Sequence, residues 1–140
     1  MDYTIRSMTI EDLETALHLW QNTEWINLSD TDAREPMKLF LDRNPGLSLV
    51  VYDGDELIGI ILCSHDGRRG YLHHLAVDKR YRRQGIGSNL VQRCLTALAK
   101  EGIIKCNIFF IEENEAGMAF WERNGFELLP HFGWMQRATR

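Results

Sequence analysis

The segment Arg82-Arg83-Gln84-Gly85-Ile86-Gly87 constrains this chain more than any other. It lies between a β-rich run at 71–77 and an amphipathic helical run at 88–100. A strand that turns through glycines into a helix gathers backbone N–H groups at one point, where the helix dipole favours negative charge. Glycine lets a phosphate approach closely, and arginine supplies a fork of donors that matches it. The segment therefore predicts a site for a ligand carrying a pyrophosphate. A P-loop needs Gly, four residues and then Gly-Lys-Ser/Thr, and no such run exists. A dinucleotide fingerprint needs a third glycine where Leu90 stands. It also needs an acid at the end of a second strand, and the nearest, Glu101, falls at a helix end. What remains is Arg-x-x-Gly-x-Gly.

Around that loop the hydrophobic period changes from element to element. Residues 3–6 read as a short strand. Thr9-Ile10-Glu11-Asp12 has the form of a capping box, and Leu13, Ala16, Leu17 and Trp20 follow at helical spacing. A polar stretch at 25–32 leads to a second helical pattern with Met37, Phe40 and Leu41, stopped by Asn44-Pro45-Gly46. Residues 47–52 and 56–63 read as a hairpin about Asp53-Gly54-Asp55, and 71–77 as the next strand. After the glycine loop come a helix, an alternating strand at 104–110, a short helix at 116–123, and final strands at 126–129 and 134–137. This order predicts one mixed α/β domain over 1–140, with helices on both faces of a sheet.

Composition narrows the function. A chain of 140 residues, 44% hydrophobic, can bury one proper core. The net charge of −4 argues against a general nucleic-acid binder, although Lys79-Arg80-Tyr81-Arg82-Arg83 is basic by itself. No apolar run approaches the roughly 20 residues of a membrane span. The first residues lack the basic start and apolar block of a signal peptide. Cys63, Cys94 and Cys106 lack metal-ligand spacing, so free buried thiols in a reducing cytoplasm are expected, and no metal.

Two blocks carry a resemblance. One is Leu75-Ala76-Val77-Asp78-Lys79-Arg80-Tyr81-Arg82-Arg83-Gln84-Gly85-Ile86-Gly87; the other is Asn114 followed by Trp121-Glu122-Arg123-Asn124-Gly125-Phe126. Together they resemble the GCN5-related N-acetyltransferase (GNAT) superfamily from end to end. Asp66-Gly67-Arg68-Arg69-Gly70 is similar to a small bacterial, YpeA-like subgroup. The resemblance implies the GNAT acyl-CoA N-acyltransferase fold, a mixed, mostly antiparallel sheet of six to seven strands with about four helices on both faces. It implies acetyl-CoA as cofactor. On this chain it implies that N–H groups from Arg83, Gln84, Gly85, Ile86, Gly87 and Ser88, beside Arg82, cradle the pyrophosphate. It implies that Leu75, Ala76 and Val77 lie on a strand that splays from its neighbour near Ile108, where the pantetheine arm hydrogen-bonds the open edge. Asn114 either faces that arm or caps a helix.

The activity implied is transfer of acetyl to a primary amine by direct attack. The acceptor is open between a small molecule, a peptide N-terminus and a lysine, and the alternative is a non-catalytic acyl-CoA-binding sensor of the same fold. The reaction needs a neutral amine, a polarised thioester carbonyl and a proton for the thiolate. His73 and His74 stand where many relatives carry a carboxylate base, and imidazole suits that task. Strand alternation is expected to put the two on opposite faces, so that only one lines the acceptor cavity. A backbone N–H near His74, Leu75 or Ala76 suits the carbonyl. Trp121 stands where many relatives carry a tyrosine acid; its indole lacks useful acidity, which leaves the proton to solvent. Trp20, Glu24, Trp25, Asp30 and Asp32 gather where the acceptor is expected, though core packing and helix starts account for the same residues. Exposed edge strands near the C-terminus leave a homodimer open.

Overall fold

The computed structural model describes residues 2–140. It divides into a unit ending at Phe109 and a second, Phe110–Arg140. The first unit contains β1 (Tyr3–Ser7), α1 (Leu13–Gln21), α2 (Arg34–Arg43), β2 (Leu49–Asp53), β3 (Glu56–His65), β4 (Gly70–Val77), α3 (Ile86–Lys100) and β5 (Cys106–Ile108). The sheet runs in the order β1-β2-β3-β4-β5, antiparallel except between β4 and β5. The crossover through α3 is what makes that last pair parallel.

Each sheet face has its helices. Val50, Ile60, Leu62 and Ala76 pack with Leu13, Ala16 and Trp20 of α1 and Met37 of α2. On the other face α3 buries Ile86, Leu90, Val91, Cys94 and Leu98. Gly59 admits this packing, because a Cβ there would lie 3.3 Å from the Val51 side chain and 3.5 Å from Ile86.

The start of α1 is fixed by one buried carboxylate. Asp12 accepts from Arg6 Nη1 and Nη2 at 2.9 and 2.8 Å, from Tyr52 Oη at 2.9 Å and from the Thr9 N–H at 2.8 Å. Burial pushes the Asp12 carboxyl up, and Arg6, the Thr9 N–H and Tyr52 outweigh it, holding the group below its ordinary value. Arg6→Met is expected to strand that carboxylate, at a cost of about 1–3 kcal/mol, since Arg6 is half-exposed, and roughly 6 °C in Tm. Because the folded-state value is depressed, this stabilisation is full above about pH 4 and is lost as pH falls through the folded value. Thermal melts at pH 7 and pH 3 check this: the gap between the two proteins should narrow in acid. Equal melting temperatures at pH 7 would refute it.

The β3–β4 register carries a bulge. Leu62 pairs with His73 and Ile60 with Ala76, so His74 and Leu75 together oppose the single Ile61. His74 takes up the extra residue at φ 51°. The bulge corrects the expected alternation: His73 shares the face of Leu62, and the His74 ring turns to the same side, against Trp20. Both histidines thus lie on the α1–α2 face. Pairing between β4 and β5 ends at Leu72 and Ile108, and beyond it 73–77 has no strand on that edge among the described residues.

The second unit contains α4 (Glu115–Arg123). Asn114 caps it, its Oδ1 accepting the Gly117 N–H at 2.9 Å, which is worth about 1 kcal/mol. The far end closes as a Schellman motif. Phe126 N–H donates to the Trp121 carbonyl and Gly125 N–H to that of Glu122, each at 3.0 Å, and the Trp121 and Phe126 rings meet edge-on. No strand forms at 126–129 or 134–137, so the sheet has five strands among the described residues, fewer than expected. Pro130 and Gly133 interrupt the run, and Leu129, Phe132 and Met135 are exposed. The C-terminal edge strands that suggested a homodimer are absent with them.

Candidate active site

The glycine loop has the backbone of an anion site. Arg83 and Gly85 are left-handed, at φ 63° and 82°, a pattern that turns successive N–H groups to one side. Gly85 is the N-cap of α3 and brings no side chain to its first turn. The N–H groups there are thus not consumed by a capping side chain. The loop is held from behind. Tyr3 Oη donates to Gln84 Oε1 at 2.6 Å, Tyr81 Oη donates to Asp53 at 2.6 Å, and the two tyrosine rings meet edge-on.

The basic run beside the loop is largely neutralised. Lys79 lies 3.4 Å from Glu24, Arg80 pairs with Glu56 and Asp78, and Arg82 Nε donates to the Val77 carbonyl at 2.9 Å. Arg83 is exposed and forms no ion pair among the described residues. Arg82 also reaches Glu24 at 3.9 Å, so among the described residues Arg83 is the one guanidinium of the run without an acid.

The open edge of β4 offers backbone groups. Asp78 N–H donates to Ile58 on β3, so by alternation Ala76 turns its backbone to β3 and Leu75 and Val77 turn theirs to the open edge. Ala76 is also buried in the core. Of the three residues expected to meet a ligand arm, Leu75 and Val77 turn their backbone to the open edge, where Arg82 Nε already holds the Val77 carbonyl.

His73 is the first residue past the last β4–β5 pair. Its ring stacks with Tyr71 and with Phe109, centroids 6.2 Å away in each case. Burial, and then the neighbouring His74, hold its pKa below 6.5 against the opposing pull of Asp32. It is therefore a neutral imidazole at neutral pH. His74 is tied down instead. Its Nε2 donates to Asp32 Oδ1 at 2.9 Å, and its carbonyl accepts from Trp20 Nε1 at 2.9 Å. Asp32 is only 7% exposed, and its second oxygen accepts the Ser29 N–H at 2.9 Å. Burial raises the Asp32 carboxyl, and His74 and the Ser29 N–H bring it below its ordinary value.

The residues expected around the acceptor divide by role. Trp20 and Asp32 hold His74, Glu24 reaches Lys79, and Asp30 and Trp25 are exposed, Trp25 at φ 69°. The Asp32–His74 bond spans 42 residues of sequence, and nothing local announces it. In the second unit, Asn114 and Trp121 serve the two ends of α4. Cys63 and Cys94 are buried, and Cys106 is half-buried. Hydrogen bonding to Cys94 and burial push Cys63 far up, and burial pushes Cys106 up to about 12. Among the described residues no cluster of His, Cys, Asp or Glu is placed to hold a metal ion, and no helix is long and apolar enough to cross a membrane.

An uncapped glycine loop beside an open strand edge suits a ligand with a pyrophosphate at one end and an amide-bearing arm. Comparison with known proteins agrees. A profile of the acetyltransferase (GNAT) family matches residues 15–126. N-alpha-acetyltransferase 30 of Schizosaccharomyces pombe is 34% identical over 105 residues, 71% of this chain and 70% of that protein. A solved GNAT family acetyltransferase from Streptococcus pneumoniae superposes with a TM-score of 0.71 at 30% identity, over 99% of this chain and 100% of that one. The PaiA N-acetyltransferase of Thermoplasma acidophilum, solved with coenzyme A, is alike in fold, with a TM-score of 0.79 at 24% identity over 95% and 94% of the two chains. With loop, edge and relatives in agreement, the chain belongs to the acetyltransferase (GNAT) family and is an N-acetyltransferase that takes its acetyl group from acetyl-CoA.

Proposed function

We propose that residues 2–140 act as one catalytic domain that acetylates an α-amino group by direct attack, with His73 accepting the proton of the amine. The observation that carries this is a neutral imidazole at the point where β4 and β5 part. An α-amine has a pKa of about 7.7–8.0 and a lysine about 10.4. At pH 7 roughly a tenth of the first is already neutral, against about one part in two thousand of the second. A base whose own value is below 6.5 matches the first far better. The name of the yeast relative, an N-alpha-acetyltransferase, supports the same class.

Acetyl-CoA, when bound, supplies the acetyl group as an activated thioester. The chain's part is to hold and orient it. N–H groups from Arg83 to Ser88, with Arg82 and Arg83 beside them, would hold the pyrophosphate, and the edge backbone of Leu75 and Val77 would hold the arm. The Leu75 N–H is a donor for a carbonyl oxygen at that edge. No protein acid is assigned, because Trp121 has only an indole N–H. The three free thiols suit a reducing cytoplasm.

The test is thiol release from acetyl-CoA with four acceptor sets: tetrapeptides with free N-termini, the same peptides blocked and carrying a lysine, polyamines, and aminoglycosides. Release with free N-termini that blocking abolishes is expected. Release confined to lysines, polyamines or aminoglycosides would overturn the α-amine assignment.

A further inference from the structure

We infer that Trp20 and Asp32 are positioning residues of the transfer reaction: they lock the β4 bulge so that the Leu75 N–H stays aimed at the open edge. The inference rests on the proposal that the acetyl donor lies along β4.

The lock has two contacts, both on His74 and both from the α1–α2 side. Trp20 Nε1 donates to the His74 carbonyl at 2.9 Å, and Asp32 Oδ1 accepts from the His74 ring at 2.9 Å. The peptide that joins His74 to Leu75 is trans. In a trans peptide the C=O and the N–H point in opposite directions. Fixing the His74 carbonyl on the indole therefore fixes the Leu75 N–H pointing away from it. In the β3 register neither His74 nor Leu75 has a Cα partner, so the regular ladder is interrupted at this peptide. A non-glycine residue at φ 51° also needs outside contacts to stay there, and these two supply them.

Asp32 does a second thing with its other oxygen. By accepting the Ser29 N–H it closes the turn Asp30–Asp32, in the middle of the connection proposed to meet the acceptor. One buried carboxylate thus joins the acceptor side to the strand on the donor side. Neither Trp20 nor Asp32 needs to touch a reacting atom for this.

Two variants test the lock. Trp20→Phe removes the indole donor and keeps an aromatic ring in the core. Asp32→Asn keeps the size, but His74 and the Ser29 N–H face different oxygens of the carboxylate, and the amide puts a donating NH2 in place of one of them. Each is assayed with acetyl-CoA and a free-N-terminus tetrapeptide for kcat, both KM values, Tm and pH profile. The Leu75 amide resonance is recorded in the protein without ligand. The expected result is a fall in kcat of about tenfold, short of the loss seen when an oxyanion donor is deleted outright. KM for acetyl-CoA should change less than twofold, the midpoint of the acid limb should stay, and the Leu75 amide resonance should move.

A kcat per folded molecule within twofold of the parent, with the Leu75 resonance unmoved, would overturn the lock and leave packing alone. Loss of the acid limb in Asp32→Asn would also overturn it, since the Asp32–His74 pair would then be the base. Failure of the His73 proposal looks different: His73→Gln keeps the acid limb while both lock variants still lower kcat and move Leu75. If Trp20→Phe does not fold, Asp32→Asn carries the test alone.

Discussion

Gly85→Asp is expected to abolish acetyl-CoA binding while the protein stays folded. Gly85 is at φ 82°, is exposed, and a Cβ there would meet nothing within 4 Å. The cost to the fold is thus confined to a left-handed side chain, about 1–2 kcal/mol and least for Asp or Asn. The consequence for the ligand is much larger. A carboxylate at the N-terminus of α3 repels each phosphate charge by between about 1 and 4 kcal/mol at about 4 Å, depending on solvent access. It also competes for the same N–H groups. A loss of a hundredfold or more in affinity follows. Calorimetry with coenzyme A and a thermal melt check both halves, and Gly85→Ala, which carries the backbone strain without the charge, should lose far less. Undiminished binding in the Asp variant would remove the loop from the cofactor site.

His73→Gln is expected to lower kcat/KM by about a hundredfold, the range of a lost general base, and to abolish the acid limb of the pH profile. The sign follows from a folded-state value depressed below 6.5. Per molecule of neutral amine, which itself titrates at about 7.7–8.0, activity in the parent is level above the ordinary histidine range and falls as pH drops through the lowered value. Glutamine takes no proton, so the variant should be flat there. The same depression makes His73 a liability to the fold in acid. The unfolded chain binds more protons between the two values, so the stability tied to a neutral His73 is full above about pH 6.5 and is lost as pH falls through the folded value. Urea midpoints at pH 7 and pH 5 should therefore fall less in the variant. A retained acid limb would sink the assignment.

The glycine loop and the helix ends were legible residue by residue. The Thr9 capping box, the loop into α3 and the Gly125-Phe126 ending are all settled within about six positions of chain. The last of these shows how a family-like signature can have a local cause. The spacing from Trp121 to Phe126 is that of a Schellman motif, whose two rings meet across the helix end. Asn114 likewise has a cap to make before any ligand is considered. The C-terminal strands were misread because alternation reports a side-chain pattern and not a partner. Residues 126–137 have the pattern in part, with Pro130 and Gly133 inside it and no ladder to join.

The histidines mark the boundary most clearly. An imidazole pair just before a glycine turn at the end of a strand is legible in the residues alone, because strand, turn and helix start depend on neighbours a few residues apart. The rest came from tertiary contacts: both rings share one face, His73 stacks with Tyr71 and Phe109 at the parting of β4 and β5, and His74 is bound to Asp32 and Trp20. Those outcomes depend on the register of β4 against β3 and on contacts across 42 and 54 residues of chain. A shift of one residue in register turns a side chain to the other face, and no local propensity records it.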